Sequence, residues 1–259
     1  MSEKLKVGIL GATGMVGQRF VTLLENHPWF EVVKLAASAH SAGKTYEEAV
    51  GPRWKMETPM PEYVKGMTVH DVADVAGMAD GVDFVFSAVN MSKDEIRAIE
   101  EEYAKTETPV VSNNSAHRWT PDVPMVVPEI NPEHFAVIEH QRKRLGTTRG
   151  FIAVKPNCSI QAYTPALAAW KEFEPREVVV STYQAISGAG KTFKDWPEMV
   201  ATSSRSSPAR RRRARRNRSR CSVTWMPARA RSCRSTAVSR SLRSASACPC
   251  STATPPRYS

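Results

Sequence analysis

The sequence predicts an α/β protein built on a doubly wound parallel sheet, followed by the start of a second, incomplete α+β domain. Three observations predict it. An apolar run at residues 5–10 feeds directly into Gly11-Ala12-Thr13-Gly14-Met15-Val16-Gly17, then into a segment with apolar residues at Val16, Phe20, Leu23 and Leu24. Strand-like runs recur at 31–37, 82–88 and 109–112, with a helical stretch at 92–105 between the last two. A third strand-to-helix junction, from 151–154 into 160–170, carries a cysteine, Cys158. Strands alternating with helices at this pitch pack as a parallel sheet with helices on both faces.

The first junction reads as strand, glycine turn and amphipathic helix. Glycines let the backbone approach a pyrophosphate closely, and the helix N-terminus then offers N–H groups to the anion. Residues 1–150 are therefore expected to form a dinucleotide-binding (Rossmann) domain. Its cofactor contacts are expected at Gly11, Thr13, Gly14, Met15 and Val16, with Ser87 at the end of a later strand. At the end of the second strand an NAD-specific site would place Asp or Glu against the ribose 2′-hydroxyl. This chain instead reads Ala37-Ser38-Ala39-His40-Ser41-Ala42-Gly43-Lys44. Ser38, His40 and Ser41, with Lys44 nearby, suit a 2′-phosphate, so NADP is the expected cofactor; the alternative is an ordinary polar loop.

Cys158 stands in Pro156-Asn157-Cys158-Ser159, where a helix is expected to begin. Free N–H groups and the positive end of a helix favour an anion at sulfur, which suits a nucleophile. A buried structural cysteine is the alternative. Pro165 lies inside the following helix, so a kink or a late start is expected there.

Further motifs come in order: Ser112-Asn113-Asn114-Ser115-Ala116-His117-Arg118, Pro128-Glu129-Ile130-Asn131, and Gln184-Ala185-Ile186-Ser187-Gly188-Ala189-Gly190. With the glycine turn and the cysteine motif, these five make the chain resemble the aspartate-semialdehyde dehydrogenase family, in its archaeal and fungal form, over residues 1–200. The resemblance implies an NADPH-dependent step of lysine, threonine and methionine biosynthesis on a small-molecule acyl phosphate. Cys158 would attack L-aspartyl 4-phosphate, phosphate would leave, and reduction of the thioester would release L-aspartate 4-semialdehyde. Gln184 would hold the intermediate, unless it is an ordinary surface amide. Arg118 would grip the phosphate, with Asn114 beside it. Read from residues alone, Arg118 could equally be a surface arginine stacked on Trp119. Ser187 and Gly188 would form a second cofactor contact near the nicotinamide. One departure is His40, where relatives often carry arginine. The family implies a homodimer or homotetramer, with residues 151–200 beginning the catalytic and dimerisation domain.

Residues 201–259 are a different kind of sequence. They hold 15 arginines and no lysine, aspartate or glutamate, so they carry +15, while residues 1–200, with 21 Lys+Arg against 26 Asp+Glu, carry −5. Four of the five cysteines also lie there, at Cys221, Cys233, Cys248 and Cys250, amid Ser, Ala, Pro and Arg. Such a composition cannot bury a core and is expected to be disordered. It reads as a GC-rich gene translated out of frame. The codons for residues 247–259, taken one nucleotide earlier, can spell RVPVLDGHTAAVF, which alternates like a strand and carries an Arg and a Gly-His. By the resemblance these would be the substrate-carboxylate arginine and the general base. Without them little turnover is expected, and the strand ending at Gln184 would keep an unpaired edge.

The N-terminus is charged and no apolar run approaches the ~20 residues of a membrane span, so a cytoplasmic protein with no membrane partner is expected. His134 and His140 are six apart and unsupported by other ligands, so no metal is expected. Two readings compete. One is a related reductase, either N-acetyl-glutamyl-phosphate reductase or malonyl-CoA reductase. The other is a non-enzymatic nucleotide or nucleic-acid binder using the basic arm centred on residues 210–220.

Overall fold

The computed structural model describes residues 3–180. The chain divides into two units, one running to Pro156 and the other beginning at Asn157. In chain order the first comprises β1 (Leu5–Leu10), α1 (Met15–Leu23), β2 (Phe30–Ala37), α2 (Tyr46–Val50), α3 (Glu62–Lys65), β3 (Val69–Asp71), α4 (Val75–Ala79), β4 (Phe84–Ser87), α5 (Lys93–Lys105), β5 (Val110–Ser112), α6 (Ile138–Leu145) and β6 (Ile152–Val154). The strands form one six-stranded sheet in the order β3-β2-β1-β4-β5-β6. Every neighbouring pair is parallel, which makes the sheet doubly wound about β1 and β4.

Because β6 completes this sheet, the first unit extends to Pro156, past the expected boundary at residue 150. Other elements went unexpected. β3, α2, α3 and α4 are only three to five residues long, too short to show a period in the sequence.

The central strand β1 buries Val7, Ile9 and Leu10 completely, as a parallel strand covered on both faces does. On one side Val7 and Ile9 join Val21 of α1, Tyr46 of α2 and Val64 of α3. There the Phe20 and Phe86 rings stack at 4.8 Å, and Phe30 meets Phe84 edge-on at 5.3 Å. On the other side Leu10, Val85, Val110 and Ile152 pack with Met78 of α4 and with Ile96, Tyr103 and Ala104 of α5.

α5 shows why a helix forms where it does. Ser92 caps it: its side chain accepts from the Glu95 N–H, and the Glu95 carboxylate accepts from the Ser92 N–H at 2.9 Å. Those two bonds satisfy donors that the first turn would otherwise leave open. Its buried residues are Ile96, Glu100, Tyr103 and Ala104, a single stripe at helical spacing. Among the described residues no helix is long and apolar enough to cross a membrane.

The second unit is described as far as residue 180. It opens on α7 (Cys158–Ala169), capped by Asn157, whose Oδ1 accepts from the Ser159 N–H at 2.8 Å. Of the kink or late start expected at Pro165, the late start does not occur. The helix begins at Cys158 and passes through Pro165, which has no N–H to donate one turn back.

Candidate active site

Four strands of the first unit finish level with one another. Leu10 pairs with Ser87, Ser87 with Ser112 and Ser112 with Val154. The next residues in the chain, Gly11, Ala88, Asn113 and Lys155, therefore open onto one edge of the sheet. Backbone bonds carry the register past the strand ends: Ala88 N–H to Leu10 at 2.9 Å, Asn113 to Ser87 at 2.8 Å and Lys155 to Ser112 at 3.1 Å. This carboxyl edge is where doubly wound sheets bind their ligands.

The glycine turn lies at the end of β1. Gly11 takes φ +81°, and a Cβ there would sit 2.5 Å from the Ala88 carbonyl oxygen. Gly17 lies against the turn itself: a Cβ would meet the Gly11 oxygen at 2.3 Å and the Ala12 Cα at 2.6 Å. α1 begins at Met15 with no side-chain cap and no acidic residue in its first turn. Its open N–H groups and positive end, with Gly14 and Val16 exposed, fit the pyrophosphate of a dinucleotide. We expect Gly17→Ala to push α1 off the turn, lowering stability by about 2 kcal/mol or more. NADP binding should be lost with it. Thermal unfolding and titration calorimetry check this, and a variant with native Tm and native affinity would contradict it.

Two side chains clamp the turn, and sequence reasoning missed both. Tyr46, fully buried, donates its hydroxyl to the Ala12 carbonyl at 2.8 Å. Burial holds its phenol well above the ordinary range, so it stays a donor. Gln18, also buried, donates to the carbonyls of Thr13 (2.9 Å) and Arg53 (3.1 Å) and accepts from the Lys55 N–H at 2.8 Å. A glutamine on the buried face of an amphipathic helix was the available signal.

The loop after β2 lies beside this turn, because Gly11 and Ala12 both donate to Ala36 of β2. It carries no carboxylate from residue 38 to 44. Ser38 and His40 are exposed, and the Lys44 ammonium donates to the His40 carbonyl at 2.9 Å. Ser41 differs from expectation: it is buried and its N–H donates to Ser38, so it shapes the loop.

Ser87 also requires correction as a cofactor contact. Its side chain has no exposure, and its hydroxyl donates to the Glu100 carboxylate at 2.7 Å while accepting from Asn114 at 3.1 Å. Asn114 in turn uses both amide hydrogens inward, on Ser87 and Glu100. What it keeps for a ligand is an acceptor oxygen, which cannot grip a phosphate dianion. Neighbouring His117 is buried, with Nδ1 3.1 Å from the Thr120 hydroxyl. Burial pushes it below the ordinary histidine range, against the pull of Glu100 and Glu101.

Arg118 is half-buried and pinned across two strand ends. Its Nε donates to Lys155 at 3.1 Å, and one terminal nitrogen reaches the carbonyls of Asn113 and Pro156 at 3.5 Å. Backbone carbonyls hold it there, while the neighbouring Trp119 is exposed. In the second unit, Cys158 is exposed at the first position of α7, with Sγ 3.7 Å from the Asn157 Oδ1. Exposure removes the reading of a buried structural cysteine. Gln184, Ser187 and Gly188 lie outside the described residues, as does the strand expected to end at Gln184. Among the described residues no group of three His, Cys, Asp or Glu side chains is placed to hold a metal.

Residues 6–138 match the family model of the semialdehyde dehydrogenase NAD-binding domain. The aspartate-semialdehyde dehydrogenase of Methanothermobacter thermautotrophicus is 46% identical over 187 residues, covering 72% of this chain and 52% of that protein. The enzyme of the same name from Aspergillus fumigatus is 45% identical over 189 residues, covering 72% and 50%. The crystal structure of the Candida albicans enzyme with NADP superimposes with a TM-score of 0.63 at 38% identity, over 74% of this chain and 54% of that one. The chain thus spans about half the length of the curated relatives it matches.

Proposed function

The chain belongs to the family defined by the semialdehyde dehydrogenase NAD-binding domain, and from that premise we propose that it performs the NADPH-dependent reductive dephosphorylation of L-aspartyl 4-phosphate through a cysteine thioester. The observation that carries this reading is Cys158, an exposed cysteine opening α7 four residues after the last strand of a dinucleotide sheet.

In this reading the Cys158 Sγ adds to the acyl carbon. A C–S bond forms, the bond from that carbon to the phosphate oxygen breaks, and phosphate leaves with the electron pair. Arg118 supplies the cation for that phosphate. Bound NADPH supplies the hydride that reduces the thioester to the aldehyde and returns Sγ as thiolate. The cradle of Gly11, Thr13, Gly14, Met15 and Val16 holds the pyrophosphate, Ser38 and His40 receive the 2′-phosphate, and Ser187 and Gly188 supply the contact near the nicotinamide. Gln184 steadies the acyl group. Covalent attachment divides one hard displacement into two easier steps.

The test is a single-turnover experiment with chain and substrate in equal amounts. L-aspartyl 4-phosphate should oxidise NADPH and release phosphate in proportion to the chain present. Parallel arms with N-acetyl-glutamyl phosphate and malonyl-CoA should give less. Preference for either one reassigns the substrate, and no oxidation in any arm removes the proposal.

A further inference from the structure

Glu100 is the anomaly of α5. It occupies the buried stripe of Ile96, Tyr103 and Ala104 and has no solvent exposure. A carboxyl group in such a place is strongly unfavourable unless hydrogen bonds replace its water. Here they do so on one oxygen. Oε1 accepts from the hydroxyls of Ser87 and Ser112, both at 2.7 Å, and from Nδ2 of Asn114 at 3.0 Å. The second hydrogen on that nitrogen goes to the Ser87 oxygen, and the Asn114 N–H goes to the Ser112 oxygen at 3.0 Å.

This network decides which way the Asn114 amide faces. Nitrogen and oxygen of an amide are nearly indistinguishable by shape, but a carboxylate oxygen only accepts, so the nitrogen faces Glu100. Oδ1 is left on the other branch of a half-buried side chain, with no donor to it among the described residues. Asn114 sits two residues past the end of β5, beside β4. In a sheet of this order the dinucleotide lies along the carboxyl edge, its pyrophosphate at the turn after β1 and its nicotinamide half toward β4 and β5. The hydrogen-bond donors on that half are the ribose hydroxyls and, on the ring itself, the carboxamide.

We infer that Glu100 is a positioning residue that turns the Asn114 carbonyl oxygen toward the cofactor, where it accepts the carboxamide N–H of the nicotinamide. The inference rests on the dinucleotide reading above. It assigns Asn114 to the cofactor and leaves the phosphate to Arg118. Ser87 acts within the same frame, as a spacer between Glu100 and Asn114.

The test compares calorimetric binding of NADP+ to the full chain with that of its 3-acetylpyridine analogue, which carries a methyl group where the carboxamide has NH2. The native chain should prefer NADP+ by about three- to tenfold, the contribution of one neutral hydrogen bond. Asn114→Ala should abolish the preference. Glu100→Ala should do the same, because Asn114 is then free to turn over. Glu100→Gln should retain it, since the glutamine oxygen keeps the acceptor and its nitrogen takes the place of Oε2, which has no partner. A purely structural glutamate would change Tm in these variants without changing the ratio. Should Glu100→Ala fail to fold, Asn114→Ala, outside the core, still decides the matter. If NADP+ binds but the ratio is one, or survives Asn114→Ala, the inference falls and the dinucleotide reading stands. If that variant instead loses L-aspartate 4-semialdehyde but not succinic semialdehyde, the oxygen serves the substrate's ammonium and the inference is also overturned. If the native chain binds no NADP+, both readings fall together.

Discussion

Cys158→Ser should abolish covalent acylation of this chain, reducing acyl transfer by about 10³-fold or more. Two physical facts set that size. Sulfur gives up its proton far more readily than oxygen and is the stronger nucleophile, whereas a serine hydroxyl stays protonated without a dedicated base. The substitution also changes little else, because Cys158 is exposed at the start of α7 and leaves the Asn157 cap in place. Tm and NADP+ affinity should therefore stay native. Intact-mass measurement after mixing with L-aspartyl 4-phosphate reads the outcome: an aspartyl adduct on the native chain and none on the variant. An adduct of equal yield on Cys158→Ser would falsify the assignment of the nucleophile.

Restoring the earlier reading frame beyond about residue 200 should raise turnover by about 10³-fold or more over this chain. We propose that the arginine-rich segment is an out-of-frame translation, on the grounds that its 15 arginines come with no lysine, aspartate or glutamate. The shifted codons of residues 247–259 can encode an arginine and a Gly-His suited to binding a substrate carboxylate and taking a proton from Cys158. Catalytic groups that act as a unit lose most of their effect when one is absent, which is why the expected gain is so large. Sequencing the gene across the codons for residues 196–202 is the direct measurement. A single unbroken frame, matched by intact mass, removes the proposal and favours a basic arm instead. Such an arm should bind DNA in a way that weakens steeply with salt and disappears when residues 201–259 are removed.

The parts of the site legible in the sequence are those where one residue type has a single physical use. Gly11 and Gly17 are required because backbone atoms approach within 2.5 Å of where a Cβ would be. The strand at Leu5–Leu10 shows as an apolar run because parallel strands are covered on both faces. Cys158 was legible as the opening of a helix because it stands between an apolar strand-like run at 151–154 and an apolar helical one at 160–170. The residues that were missed or misassigned share the opposite property. Gln18, Tyr46 and Glu100 act through partners 30 or more residues away, or on a strand packed beside them; the helical pattern marks Gln18 as buried, but no local pattern names those partners. Ser87 looked like a ligand contact because it ends a strand at the carboxyl edge. Its actual burial depends on α5 packing a carboxylate over it.

Local chemistry alone determined the doubly wound class, the glycine cradle, the thiol at the head of a helix and the break in composition near residue 200. Each arises from periodicity, backbone sterics or charge, which act over a few residues. Tertiary structure decided that β6 belongs to the first sheet, that Ser41 and Ser87 are closed off, and that Asn114 presents an oxygen rather than a nitrogen. Those outcomes depend on which donors meet which acceptors across the sheet, and a buried carboxylate such as Glu100 orients its neighbours only once the fold has excluded water from it.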